Sequence, residues 1–154
     1  MQQSVVLVKP DGLQRGLIGE IISRFERKGL KLVAIKMIQL EDSIVEEWYA
    51  HHREKPFFPK LKGFMQQTPI VAMVWEGLDA VDTIRKLIGV TKGREAEGGS
   101  VRGDLAMSMS NNLIHASDSE AAAEKERGLL FSAAEIFAYT SALEFLIYSD
   151  EERG

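Results

Sequence analysis

The sequence contains no cysteine. That excludes thiol catalysis, cysteine-ligated zinc, iron–sulfur clusters and a disulfide framework. Histidine is scarce as well: only His51, His52 and His115 occur, so any imidazole chemistry must come from these three. Long apolar runs are missing. Val5–Val8 and Ile70–Trp75 are the longest, against roughly 7–15 apolar residues for a secretory leader and about 20 for a membrane span. The expectation is a cytoplasmic chain. No Gly/Ser/Pro-rich linker, low-complexity tract or internal repeat divides it. Nor is there an excess of positive charge: the formal net charge is −4. A dedicated nucleic-acid coat would be basic, so wholesale polyanion binding is disfavoured, while a local basic pocket stays open. What remains is ordinary in amount, 154 residues with 45% hydrophobic and 27% charged. This suits one globular domain spanning residues 1–154, with no need of a metal or disulfide staple.

The apolar pattern alternates between two periods. Val5–Val8 reads as a short buried strand, stopped by the turn signal Pro10-Asp11-Gly12. Leu17, Ile18, Ile21, Ile22 and Phe25 recur at helical spacing, and Gly29 supplies the stop. Lys31–Leu40 suits a strand, and Asp42 or Ser43 caps a helix running to about His52. A brief helix is predicted around Lys60–Met65, a strand over Ile70–Trp75 and a helix over Asp79–Ile88. Gly89–Asp104, with five glycines and no period, reads as one long loop, and loops of that length are commonly functional. Leu105–Met109 alternates like a half-buried strand, and Ser117 with Glu120 has capping-box spacing for a helix over Ala121–Arg127. Helices are also predicted over Ala133–Phe137 and Ser141–Ile147. This order matches an α+β, ferredoxin-like βαββαβ sandwich: a four-stranded antiparallel sheet with helices packed on one face.

The segment Asn112-Leu-Ile-His-Ala-Ser-Asp-Ser-Glu120 carries the most chemistry. A histidine there ends an apolar stretch just ahead of a helix start, where free N–H groups and the helix dipole favour an anion such as phosphate. A carboxylate on one ring nitrogen fixes the tautomer and frees the other nitrogen to attack. Asp118 and Glu126 are the candidates for that carboxylate, and a merely structural core or cap histidine is the alternative. A hydrolytic reading of His115, Ser117 and Asp118 is poor, because triads assemble from distant segments and no Gly-x-Ser-x-Gly elbow is present. A Walker loop and a protein-kinase glycine loop are also absent, so phosphate must be handled by side chains. Arg85, Lys86, Lys92, Arg94 and Arg102 stand against only Glu95 and Glu97, a local excess of +3. Arginine forks suit a terminal phosphoryl group. A solvated charged loop is the plainer reading of the same residues.

Five motifs in order carry a resemblance over about Val5 to Tyr148. They are Lys9-Pro-Asp-Gly12 with Gln14-Arg-Gly16, Lys55-Pro-Phe-Phe-Pro59, Met73-Val-Trp-Glu-Gly77, Val101-Arg-Gly-Asp104 and Asn112-Leu-Ile-His-Ala-Ser-Asp118. Together they resemble the nucleoside diphosphate kinases. The resemblance implies ping-pong transfer of a γ-phosphoryl group through a phosphohistidine on His115, with Nδ1 as nucleophile. It implies Glu126 on the other ring nitrogen, Ser117 hydrogen-bonding nearby and Tyr49 helping to position the histidine. Lys9 would reach the ribose and bridging phosphate region, Asn112 the sugar hydroxyl, and Arg85, Thr91 and Arg102 the phosphates. Phe57 would stack on the base, with Leu61 and Met109 beside it, so that base specificity is low. Mg²⁺ is expected to arrive with the nucleotide, Asp118 contacting it through water. A homo-oligomer is implied, a hexamer favoured over a tetramer, with no membrane and no dedicated nucleic-acid partner.

The chain also departs from the family pattern. Ala116 stands where glycine is usual, a position that a methyl group would strain if φ were positive. Ser110 and Asn111 replace a frequent glycine and arginine, and Thr91-Lys92-Gly93 lacks the usual proline that stiffens the loop. These changes motivate a competing reading as a non-catalytic nucleotide-binding module. Nucleic-acid binding by the same fold is a further alternative, disfavoured because no strand interleaves aromatic and basic residues. His51 and His52, adjacent on a predicted helix, would point roughly 100° apart and so not chelate a metal.

Overall fold

The computed structural model describes residues 1–153. Its frame is two split βαβ units. Strand β1 (Gln2–Val8) leads through a short helix α1 (Pro10–Gln14) and helix α2 (Ile18–Lys28) to β2 (Lys31–Ile38). Strand β3 (Ile70–Gly77) leads through α5 (Ala80–Ile88) and α6 (Val101–Leu105) to β4 (Ile114–Ala116). Between the units lie α3 (Asp42–Trp48) and α4 (Phe58–Met65). After them come α7 (Glu120–Leu130) and a last short helix, α8 (Glu144–Ile147). The four strands pair antiparallel in the order β2-β3-β1-β4, the ferredoxin-like arrangement.

Side chains alternate across a strand, so the register sorts the core into two layers. Val6, Val8, Met73 and Trp75 face one side, where Ile21 and Phe25 of α2 and Ile84 and Ile88 of α5 pack on them. The helical stripe of α2 ends at Gly29, which takes the left-handed φ of 97° that its cap requires. Val5, Leu7, Ala72 and Val74 face the opposite side and meet Val45 of α3, Met65 of α4 and Leu130 of α7. Helices therefore cover both faces, not the one face expected. This explains why β3 is buried along nearly its whole length instead of alternating.

Five other expectations change. Gly89–Asp104 is not an unstructured loop: a 3₁₀ turn at Gly93–Glu95 and α6 lie within it, α6 capped by Ser100, whose Oγ accepts from the Gly103 N–H. Leu105–Met109 is no strand. Leu105 ends α6, and the fourth strand is the three-residue segment Ile114–Ala116. The predicted helix to His52 stops at Trp48 and continues only as a 3₁₀ turn, Ala50–His52. Ser119, not Ser117, caps α7, accepting from the Ala122 N–H at 3.1 Å. The tail is less helical than its composition suggests, with a 3₁₀ turn at Ala133–Glu135 and a single helical turn at Glu144–Ile147.

Candidate active site

His115 sits directly opposite Leu7 in the β1–β4 ladder. Opposed residues share a face, so its ring projects into the layer formed by α3, α4 and α7, while Ile114 and Ala116 enter the other core. Ala116 belongs to a regular strand, is 4% exposed, and takes no positive φ. The methyl group that replaces the usual glycine is therefore a core contact without backbone cost. The left-handed residue is instead Leu113, at φ 71°. Asp11 Oδ2 accepts from its N–H at 3.0 Å, and the Lys9 N–H donates to its carbonyl at 2.9 Å. Together they hold the turn that delivers the histidine.

Glu126, on α7, places both carboxylate oxygens against His115 Nε2, at 3.0 and 3.1 Å. A carboxylate accepts, so Nε2 carries a proton, and in the neutral imidazole that tautomer leaves the lone pair on Nδ1. Of the two carboxylates open from sequence, Glu126 is the one brought to the imidazole. Asp118 is exposed and accepts from Ser119 Oγ at 3.2 Å. Ser117 is fully buried, and its Oγ donates to Glu126 Oε2 at 2.6 Å and accepts from the Val5 N–H at 3.1 Å. It thus orients the carboxylate and does not itself meet the ring. The histidine is 23% exposed and the glutamate 14%, so the pair is shielded yet reachable.

Tyr49 is held near this pair with its phenol pushed up to about 12, first by burial and then by the charge of Glu126. It stays a neutral O–H at any working pH. The ring that packs on His115 belongs to its neighbour Trp48, with centroids 5.1 Å apart at an interplanar angle of 77°. Sequence reasoning passed over Trp48. Its signal was the spacing Ile44, Val45, Trp48, which places it on the buried stripe of α3.

A cationic cluster adjoins the histidine. Lys9 Nζ donates to Asn112 Oδ1 at 2.8 Å, and Asn112 Nδ2 donates to the carbonyls of Met109 and Thr91. Arg102 is 7% exposed. Its Nη2 reaches the Ile114 carbonyl at 2.6 Å, Nη1 that of Gly89 at 2.9 Å, and Nε that of Asn112 at 3.3 Å. Two of these bonds clamp the backbone on either side of Leu113, and the third ties the same guanidinium to the end of α5 at Gly89. Burial and then Arg102 bring Lys9 down to about 8, and burial and then Arg85 bring Arg102 down to about 10. Asp11 offsets only part of this. Cations crowded together and short of counter-charge make a site for an anion.

Arg85 lies exposed in the last turn of α5, Thr91 is exposed three residues past its end, and Met109 is 61% exposed. Phe57 is 49% exposed at the start of α4, with Leu61 half-buried one turn on. His52 packs edge-on against the Phe57 ring at 5.2 Å. His51 and His52 do not splay apart as a continuous helix would dictate. The 3₁₀ turn brings their ring centroids to 3.9 Å, although no group of three metal-ligating side chains forms among the described residues. The loop that lacks proline is not slack either. The Gly93 N–H donates to the Ser108 carbonyl at 3.1 Å, and a Cβ there would stand 2.4 Å from the Ala106 carbonyl. No proline fits.

The family model described as nucleoside diphosphate kinase matches residues 2–136. The chain belongs to that family. It is 46% identical over 152 residues to the nucleoside diphosphate kinase of Parabacteroides distasonis, covering 99% of both chains. To that of Methanoregula boonei it is 49% identical, over 96% of this chain and 99% of the relative. Among solved structures, the Halobacterium salinarum nucleoside diphosphate kinase in complex with CDP superposes at a TM-score of 0.93 with 42% identity, covering 96% of this chain and 98% of that one. The protein is therefore a transferase that moves phosphoryl groups between nucleotides, by the histidine-mediated ping-pong mechanism of its family. No helix among its described residues is long and apolar enough to cross a membrane.

Proposed function

We propose that His115 is the nucleophile and that the layer around it is the nucleotide site. One observation carries this reading: Glu126 occupies Nε2, while Nδ1 has no hydrogen-bond partner among the described residues. The Nδ1 lone pair attacks the γ-phosphorus of a nucleoside triphosphate. The P–N bond forms as the bond to the bridging oxygen breaks, and the diphosphate leaves with that electron pair. No proton has to leave Nδ1, and Glu126 stabilises the positive charge that develops on the ring. A second nucleoside diphosphate enters the same site and reverses these steps.

Phosphoryl transfer asks a protein mainly for position and counter-charge. Lys9, Arg85, Arg102 and Thr91 supply these to the phosphates. Asn112 and Lys9 face the sugar, and Tyr49 and Ser117 hold the histidine–glutamate pair through their surroundings. Phe57 offers an exposed π-face to the base, with Leu61 and Met109 alongside. Stacking accepts any base, so specificity is broad. Mg²⁺ supplies charge neutralisation when bound to the phosphates, and Asp118, exposed and with a single weak hydrogen bond, is free to meet its water shell. The whole chain, residues 1–154, works as one domain, in the cytoplasm, without dedicated nucleic-acid binding. A homo-oligomer is supported by the apolar side chains left exposed on edge strand β2, Ile35 and Met37 at 49% and 60%, and we take a hexamer in preference to a tetramer. Light scattering at six times 17.2 kDa is the expected result.

The deciding experiment incubates the protein with γ-labelled ATP and Mg²⁺. An acid-labile, alkali-stable phosphoenzyme should form, and any nucleoside diphosphate should discharge it. Persistence of that species in His115→Ala would overturn the assignment.

A further inference from the structure

The two oxygens of Glu126 fix where Nε2 points, but a hydrogen bond along one axis leaves the imidazole plane free to swing about that axis. The hydrogen bonds around Leu113 fix the backbone from which His115 projects, but they do not set the rotation of its ring. The second constraint is Trp48. It leaves the last turn of α3 on the same stripe as Ile44 and Val45, which anchor that helix to the core. Its indole stands edge-on to the imidazole, with the 5.1 Å centroid separation of a close aromatic pair. The ring is thus held by a carboxylate from α7 and an indole wall from α3, two elements packed on the face of the sheet into which it projects.

We propose that Trp48 is a positioning residue for phosphoryl transfer, setting the plane of the His115 ring and hence the line along which Nδ1 meets the phosphorus. This rests on the reading of His115 as nucleophile. An in-line displacement is sensitive to such aim: a misplacement of about 1 Å costs on the order of 10²-fold in rate. Trp48 touches neither nucleotide nor phosphorus in this role, so its removal should slow the chemistry and spare substrate binding.

The indole is also a reporter. Of the two tryptophans, Trp75 is fully buried and packs on Phe25 in the layer across the sheet from His115. Only Trp48 stands against the ring that would take the phosphoryl group. A dianionic group added at that distance changes the field on the indole, and so its emission.

The test uses the full chain with Trp48→Leu, Trp48→Phe and His115→Ala. Trp48→Leu is expected to lower kcat and the rate of labelled phosphoenzyme formation by about 10–100-fold, with KM for ADP changed less than threefold. Trp48→Phe restores an aromatic wall and should stay within about threefold of the parent, as edge-on packing asks for a ring and not an indole. In the parent, emission should shift on phosphorylation after nucleotide is removed by gel filtration, and ADP should reverse the shift. Trp48→Phe, which keeps Trp75, should take up label without the shift. Parental kcat in Trp48→Leu, equal loss in the Leu and Phe variants, or a loss confined to KM would overturn the positioning role. So would an emission shift that survives in Trp48→Phe. Phosphoenzyme formation by His115→Ala would instead overturn the underlying nucleophile assignment, and the role of Trp48 with it.

Discussion

Ser117 Oγ and Glu126 Oε2 lie 2.6 Å apart, the hydroxyl donating into a carboxylate that is itself committed to His115. The serine is completely buried and the same oxygen accepts from the Val5 N–H. Ser117→Ala therefore removes two restraints at once. Stranding a buried amide costs about 1–3 kcal/mol, or roughly 2–4 °C of Tm per kcal/mol for a chain of this size. The freed carboxylate should also lower kcat by about tenfold, which steady-state assays and a thermal melt would read separately.

Lys9 gives the site a pH dependence of definite sign. Free, its ammonium is brought down to about 8. Nucleotide phosphates favour the charged form, so the group's pKa rises in the complex. Below pH 8 the lysine is charged in both states and contributes no slope. Above it the free enzyme loses the proton while the complex keeps it, so binding takes up protons and weakens. The Kd for ADP should rise by up to tenfold per pH unit above about 8, with proton uptake visible by calorimetry in buffers of different ionisation enthalpy. A flat Kd from pH 7.5 to 9.5 would refute this.

Arg85 and Arg102 should separate in their responses to conservative change. The Arg102 fork serves three diverging carbonyls, which a single ammonium cannot reach together. Arg102→Lys should cost at least about 1–3 kcal/mol of stability for one stranded carbonyl, besides its effect on turnover. Arg85 is exposed. Arg85→Lys should leave stability within about 0.5 kcal/mol and raise KM by severalfold. Chemical denaturation beside steady-state kinetics would distinguish the two.

Gly93 inverts an expectation about loop stiffness. Restoring the family's usual proline should destabilise the chain, since it removes the N–H that reaches Ser108 and forces a side chain against Ala106. A loss of roughly 3 kcal/mol or more is expected for Gly93→Pro. An unchanged or raised Tm would contradict the packing described.

The strand–helix rhythm was legible because α2 and α5 each keep one clean hydrophobic period and β3 is a continuous apolar run. The opposite layer was harder to read. Nothing local in Asp42–Met65 says that α3 and α4 fold back across the sheet, so the second covered face appears only in the tertiary contacts. Short elements failed for a related reason. Ile114–Ala116 is too brief to show alternation, and α6 is set by its Ser100 cap and the close packing around Gly103 instead of by a stripe. At the site, the histidine and its carboxylate choices could be read from residue types and motif order. The choice of Glu126 over Asp118 could not be made from residue types alone, since it depends on one helix packing beside one strand. Trp48 was legible only as a core residue.

Leu113 bears on what changes the chain can tolerate. Its left-handed turn, tied to Asp11, Lys9 and Arg102 through neighbouring carbonyls, decides which of two adjacent residues enters which layer. A one-residue deletion or insertion here would exchange the two sides of β4. The imidazole would be thrust among aliphatic side chains, and it would lose the Glu126 carboxylate that now meets its Nε2. Length variation between Asn112 and Ser117 should accordingly damage the fold far more than a conservative substitution at a single position within it. The segment behaves as a ratchet tooth with one working position.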